Sequence, residues 1–510
     1  MRSKVARRSG VLLHPSSFPG PWGIGDLGAS ARAFIDFLGD TRQQLWQILP
    51  LGPTSDDGSP YSSFSSSAGN PLLISLDALA DEGIAAPAAA PGTPSHAPVD
   101  LHAVRASKLP VLEQAAARFL ASSSLRPEFE QFTTERADWL DDYALFMALK
   151  DAHPGMTWNR WPAELARREP AALADASVRL QDRVSFHKFT QFAFFRQWSA
   201  LKEVAHQRGI RVVGDIPFYV AFDSVDVWAH PEHFALMSGT LEPRLMAGVP
   251  PDYFSATGQL WGNPVYDWEH HSRHGFDWWV RRFQRLTHLV DVVRIDHFRG
   301  FQAFWQVPHG ETTAINGSWA ESPGDAFFHT LEHELGHVPV WAEDLGLITP
   351  EVEKLRDDFD FPGMKVLQFA FDDKGAENPY LPFNFEQNCV CYTGTHDNDT
   401  TVGWWTALTD VQRRQVLDYA GSRDERDINW AMIRLAMESI ADTVVFPLQD
   451  VLGLGSEARM NVPGRADGNW SWRYDPAALN SEVTDRLRSA TTTFGRSPRF
   501  VSKTGVASGL

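Results

Sequence analysis

Three stretches of this 510-residue chain end an apolar run in acids. They are Val292 to Gly300 with Arg294 and Asp296, Val338 to Gly346 with Glu343, and Cys389 to Asp399 with His396 and Asp397. Each opens like a strand buried on both faces. A buried strand cannot hold such charges unpaired, so they belong at its C-terminal end, paired with one another or with a ligand. Brought to one mouth, Asp296, Glu343 and Asp397 leave two chemistries open: a hard-cation site, or acid/base attack on a sugar bond. Arginines beside the acids weaken the cation reading. Cleavage of a glycosidic bond needs two carboxyls in different environments, one a nucleophile and one a proton donor. Arg294 supplies the positive neighbour that an ionised Asp296 requires. Glu343, near Trp341 and other carboxylates, is better placed to hold a proton. A purely structural reading, in which the same charges form ion pairs closing a barrel layer, uses the same residues.

These acids need elements that end at one face. Eight apolar runs supply them, near residues 10–15, 45–52, 210–218, 292–296, 338–346, 364–371, 389–399 and 443–450, most separated by helical patterns. Strands alternating with helices argue for a parallel sheet, and eight of them for a closed (β/α)8 barrel. The whole chain reads as one catalytic barrel domain. Residues 54–190 form a loop followed by a mainly helical insertion, and 222–275 a lid-like insertion whose Gly, Pro and Asn read as loop. Residues 492–510 read as a disordered tail.

The composition narrows the partners. A net charge of −18 disfavours nucleic acid and anionic membrane surfaces, and no run approaches a membrane span. Two cysteines, Cys389 and Cys391, exclude a disulfide framework and fit a reducing compartment. The basic start is followed by too few apolar residues for a signal peptide, so a cytoplasmic protein is expected. Nineteen tryptophans lean toward a ligand with flat faces to stack on, such as a sugar.

The residues 294–300, 342–346 and 395–399 (R-I-D-H-F-R-G, A-E-D-L-G and T-H-D-N-D) resemble the motifs of the α-amylase clan. Residues 214–220, 250–255, 261–264 and 59–65 narrow the resemblance to the amylomaltase (disproportionating enzyme) family of 4-α-glucanotransferases, glycoside hydrolase family 77. That resemblance implies transfer of an α-1,4-glucan segment to a 4-hydroxyl of an acceptor glucan or glucose, through a covalent glucosyl-enzyme and with retention. It implies Asp296 as nucleophile, Glu343 as acid/base and Asp397 as transition-state stabiliser. Arg294 orients Asp296, while Asp215, His396 and Trp261 bind the donor. Tyr61, Tyr253 and Phe254 line the donor or acceptor path, and Asn461 contacts sugar. Maltooligosaccharides and α-1,4-glucans are the implied partners, with no metal and no diffusible cofactor. The alternatives are an α-glucan hydrolase on the same scaffold, a glycan-binding protein that has lost catalysis, or a zinc peptidase. The last rests on His333-Glu334-Leu335-Gly336-His337, which matches H-E-x-x-H. Gly336 is expected to end the helix before His337, taking that histidine off the shared face.

Overall fold

The computed structural model describes residues 7–251, 255–372, 375–422, 424–465 and 467–498. Eight parallel strands close into a barrel: β1 Arg8–Leu12, β2 Leu45–Gln47, β3 Arg211–Ile216, β4 Val292–Ile295, β5 Val340–Ala342, β6 Gly363–Val366, β7 Cys389–Tyr392 and β8 Thr443–Pro447. Each pairs with its neighbours in sequence, and β1 closes the ring against β8, Arg8 opposite Thr443. The apolar runs expected as strands each overlap one of these, but several extend past it. The run near 364–371 leaves the sheet after Val366 and turns into a 3-10 helix, Leu367–Ala370.

Period-two alternation sorts each strand into an inner and an outer row. Leu12, Leu45, Val213, Val292, Trp341, Met364, Val390, Tyr392 and Val445 pack together inside the barrel. Val293, Ile295, Cys389, Cys391, Val444 and Phe446 pack outward against the helices. Two residues above Val292 the inner row reaches Arg294, two above Val213 it reaches Asp215, and two above Trp341 it reaches Glu343. The apolar barrel floor thus gives way to charge at the C-terminal mouth, where opposite charges pair with one another.

The helices that cover the barrel follow the 3.6-residue period. In Ala29–Asp40 the buried residues are Ala31, Phe34, Ile35, Phe37 and Leu38. Between β2 and β3 the chain runs through a long loop and a set of helices that includes Leu101–Ala121 and Ala137–Ala152, then returns along Gln181–Gln207. Trp198 on that last helix is buried and donates to the Leu289 carbonyl at 2.9 Å, fixing the insertion to the segment that enters β4.

Two expectations are corrected. The stretch 222–275 is not simply loop: Leu245–Val249 and Gln259–Pro264 are strands of a four-stranded antiparallel sheet completed by Ala303–Pro308 and Ser318–Glu321, from beyond β4. Leu245–Val249 finds its partner Ala303–Pro308 about sixty residues downstream, so tertiary pairing overrides the local Gly and Pro signals. Pro264 is tolerated because its strand lies at the sheet edge. The tail is also ordered further than expected. The helix Ser481–Thr493 spans the proposed boundary, and Arg496 is fully buried. Its guanidinium donates to the carbonyls of Met437, Arg8, Asp442, Ser439 and Ala441, under the β1–β8 seam. Residues 499–510 of that stretch lie outside the described residues. Among the described residues no helix is long and apolar enough to cross a membrane.

Candidate active site

Strand register builds the charged centre. Asp215 of β3 lies opposite Arg294 of β4 in the ladder, and both side chains point inward. Arg294 Nη1 donates to Asp215 Oδ2 at 2.6 Å and to Asp296 Oδ1 at 3.1 Å. The Asp215 side chain has no exposed surface and that of Arg294 only 4%, whereas Asp296 keeps 28% exposed to the cleft. Burial pulls the Arg294 guanidinium down, but Asp215 and Asp296 more than reverse it, so the group stays charged. Burial pushes the Asp215 carboxyl up to about 7, against the opposing pull of Arg294.

Glu343 follows β5 directly and accepts two backbone bonds, from His297 N–H at 2.8 Å to Oε2 and from Leu345 N–H at 2.9 Å to Oε1. Its carboxyl is pushed up to about 7, first by burial and then by the negative charge of Asp296; Arg294 and the two amides work against the shift. His297 reaches Glu343 because its backbone is left-handed, φ 54° and ψ 49°, directly after Asp296. The turn then passes under Phe218, whose ring lies where a side chain on Gly300 would stand. His297 was not among the expected site residues. Its place beside Asp296 was visible in sequence, but a backbone contact leaves no side-chain signature.

Asp397, above β7, is held from the chain that follows β8. Asn461 Nδ2 donates to Asp397 Oδ1 at 2.6 Å, and Arg459 donates to the carbonyls of Asp397 and Asn461 at 2.6 and 2.8 Å. His396 Nε2 stands 3.4 Å from Asp397 Oδ1. Burial lowers its pKa, which Asp397 opposes, so the ring is neutral near pH 7. Tyr61, from the loop after β2, donates to Asp215 Oδ2 at 2.7 Å and stacks on the His396 ring, centroids 5.3 Å apart and planes 11° from parallel. Trp470 sits against both rings. Neither Arg459 nor Trp470 was expected here; the excess of aromatics was the only hint of Trp470.

These groups line one cleft of about 1950 Å³, shared by Tyr61, Trp261, Arg294, Asp296, Glu343, His396, Asp397 and Asn461. That is larger than the roughly 300–1000 Å³ of a typical small-molecule pocket, and fits a chain better than a single ring. Trp261 is 39% exposed, edge-on to His297 at 5.1 Å. Asp215 does not line the cleft. Tyr61 and Arg294 both bond its Oδ2 and cover it. Tyr253 and Phe254 lie outside the described residues.

The H-E-x-x-H stretch does not make a zinc site. The helix Gly324–Leu335 ends at Gly336, whose φ of 70° favours glycine, and His337 lies beyond it. His333 points to solvent with 84% of its side chain exposed. Asp344 pairs with Arg356 at 2.6 Å and accepts Met364 N–H at 2.7 Å, a structural role.

A family model described as 4-alpha-glucanotransferase matches residues 13–479. A 4-alpha-glucanotransferase of Synechocystis sp. is 54% identical over 497 residues, covering 96% of this chain and 98% of its own. One from Thermus thermophilus is 51% identical over 495 residues, covering 95% and 98%. Among solved structures, amylomaltase from Streptococcus agalactiae in complex with acarbose superposes with a TM-score of 0.94 at 39% identity, over 96% of this chain and 100% of that one.

Proposed function

The chain belongs to the 4-alpha-glucanotransferase family, glycoside hydrolase family 77, and from that premise we propose how its own residues carry out the transfer. Asp296 attacks the anomeric carbon of the donor glucan while Glu343 gives its proton to the glycosidic oxygen. The C–O bond breaks, the reducing-end fragment leaves, and the remaining segment is esterified to Asp296. Glu343, now a carboxylate, takes the proton of an acceptor 4-hydroxyl, whose oxygen displaces Asp296 and restores both acids. Asp397 accepts hydrogen bonds from sugar hydroxyls as the ring flattens, with Asn461 and His396 holding its orientation. Tyr61 and Trp261 offer faces on which sugar rings stack.

What supports these roles is the contrast between the two acids nearest the reaction. Asp296 has Arg294 at 3.1 Å and an exposed face, whereas Glu343 sits against the negative charge of Asp296 with its carboxyl raised to about 7. One acid is thus paired with a cation and open to the cleft, while the other keeps its proton to near neutral pH.

Maltooligosaccharides and α-1,4-glucans serve as donor and acceptor in this reading. A cytoplasmic location belongs to the same proposal, supported by two cysteines that are both free and buried. Incubation with maltotriose alone, followed by separation of products by length, tests the function. Glucose with a ladder of longer maltooligosaccharides is expected. Glucose and maltose without longer products would make the chain an α-glucan hydrolase.

A further inference from the structure

Away from the cleft, a group of imidazoles has no part in the reaction just described. The turn Pro231–His233 carries His230, Glu232 and His233, and the helix Trp268–Arg273, extended by His274, carries three more histidines. His233 stacks on His271 at 4.5 Å and meets His270 at 5.0 Å, and His270 stacks on His274 at 4.1 Å. Five histidines and a glutamate thus gather on two short elements.

We propose that His230, Glu232 and His233 form a binding site for a divalent transition-metal ion of the zinc, nickel or copper class. One ligand atom from each lies within 4.8 Å of the others, and His230 Nδ1 is 3.5 Å from Glu232 Oε1. His233 is 5% exposed, and its buried Nδ1 finds no hydrogen-bond partner among the described residues. A buried, unsatisfied ring nitrogen destabilises the fold, and an ion bound to a histidine grouped with two further ligands would offset that cost. Two imidazoles and one carboxylate suit a borderline cation rather than magnesium or calcium, which require an oxygen shell.

The geometry needs only local closure. A tetrahedral ion about 2.0–2.1 Å from each donor sets donors about 3.3 Å apart. His230 and Glu232 keep 38% and 48% of their side chains exposed and have room to swing onto His233. Three protein ligands leave the fourth position to water or to His270 beside it. The bound ion would fasten the turn after β3 and stiffen the excursion that carries the outer wall of the cleft.

The test uses the full chain, stripped with a chelator and titrated calorimetrically with zinc chloride and, separately, magnesium chloride. Wild type is expected to take up zinc saturably and not magnesium, with Tm rising in zinc. His230→Ala and Glu232→Gln, both at exposed positions, are expected to weaken zinc binding at least about tenfold and to abolish the rise in Tm. His333→Ala should bind as wild type does. Absence of zinc uptake by wild type overturns the site, as does binding unchanged in both variants or lost with His333→Ala.

Discussion

The amide of His297 donates to Glu343 Oε2 at 2.8 Å, from the residue directly after Asp296. One left-handed residue thereby fixes the spacing of two acids borne on neighbouring strands. A substitution that frees this backbone from its left-handed state should loosen Glu343 without touching its chemistry. His297→Val, β-branched and poorly suited to φ 54°, is expected to lower kcat by at least about tenfold and leave the three acids in place. His297→Gly, which accepts that φ, should retain more activity than His297→Val. The reverse order in steady-state kinetics would remove the backbone from the account.

Glu343→Gln should abolish transfer from maltotriose, by about 10²–10⁴-fold. A donor whose leaving group needs no proton, such as a maltosyl fluoride, should still form the covalent enzyme and release fluoride in a single burst. Loss of that burst in a folded variant would assign Glu343 a role other than proton donor.

The raised carboxyl of Glu343 sets a pH dependence whose sign follows from linkage. Its ordinary value is 4.5 and its folded value about 7, so the folded state holds this proton more tightly than the unfolded chain. The contribution favours folding below 4.5, is lost as pH rises from 4.5 through 7, and is absent above. Donor kcat/KM should fall as pH climbs past about 7, as the proton leaves. In thermal melts the Tm of Glu343→Gln minus that of wild type should grow from pH 5 to pH 8. A difference flat with pH would contradict the raised value.

Asp215→Ala leaves the buried Arg294 with Asp296 alone and removes the acceptor of the Tyr61 hydroxyl. Breaking a buried pair on one side costs about 3–5 kcal/mol, measurable by urea unfolding. If Asp215 acts through Arg294 and Tyr61, which it bonds, kcat should fall more than KM rises; a larger rise in KM would make it a donor contact. Trp261→Ala, at an exposed stacking face, should show the opposite split, with donor KM rising about tenfold, equivalent to about 1.4 kcal/mol of lost contact.

The barrel was legible because strands buried on both faces leave an unmistakable apolar run, and Val292-Val293 or Val444-Val445-Phe446 can be little else. The acids were legible because charge ending such a run has few places to go. The lateral sheet was not, since Leu245–Val249 becomes a strand only through partners at Ala303–Pro308. Nor was the placement of Asp215. It lies inside β3 at the level of Arg294, one inner-row position below Asp296, where Arg294 and Tyr61 cover it. Tyr61 was expected to line a path to the substrate; its hydrogen bond to Asp215 and its stacking on His396 depend on how a long loop folds back across the mouth, which no local pattern encodes.

The seam between β1 and β8, with Arg496 beneath it, bears on how the chain is made. Arg8 pairs with Thr443, and the guanidinium that binds the Arg8 and Asp442 carbonyls comes from residue 496. During synthesis the first strand therefore waits, one edge unpaired, until β8 at Thr443–Pro447 has left the ribosome. A nascent chain of this length carries an open, curling sheet with two bare edges, the state most prone to pair with its neighbours on a polysome. Ring closure is a late event, and a chain released between Pro447 and Arg496 has the closing strand but lacks the clasp beneath it.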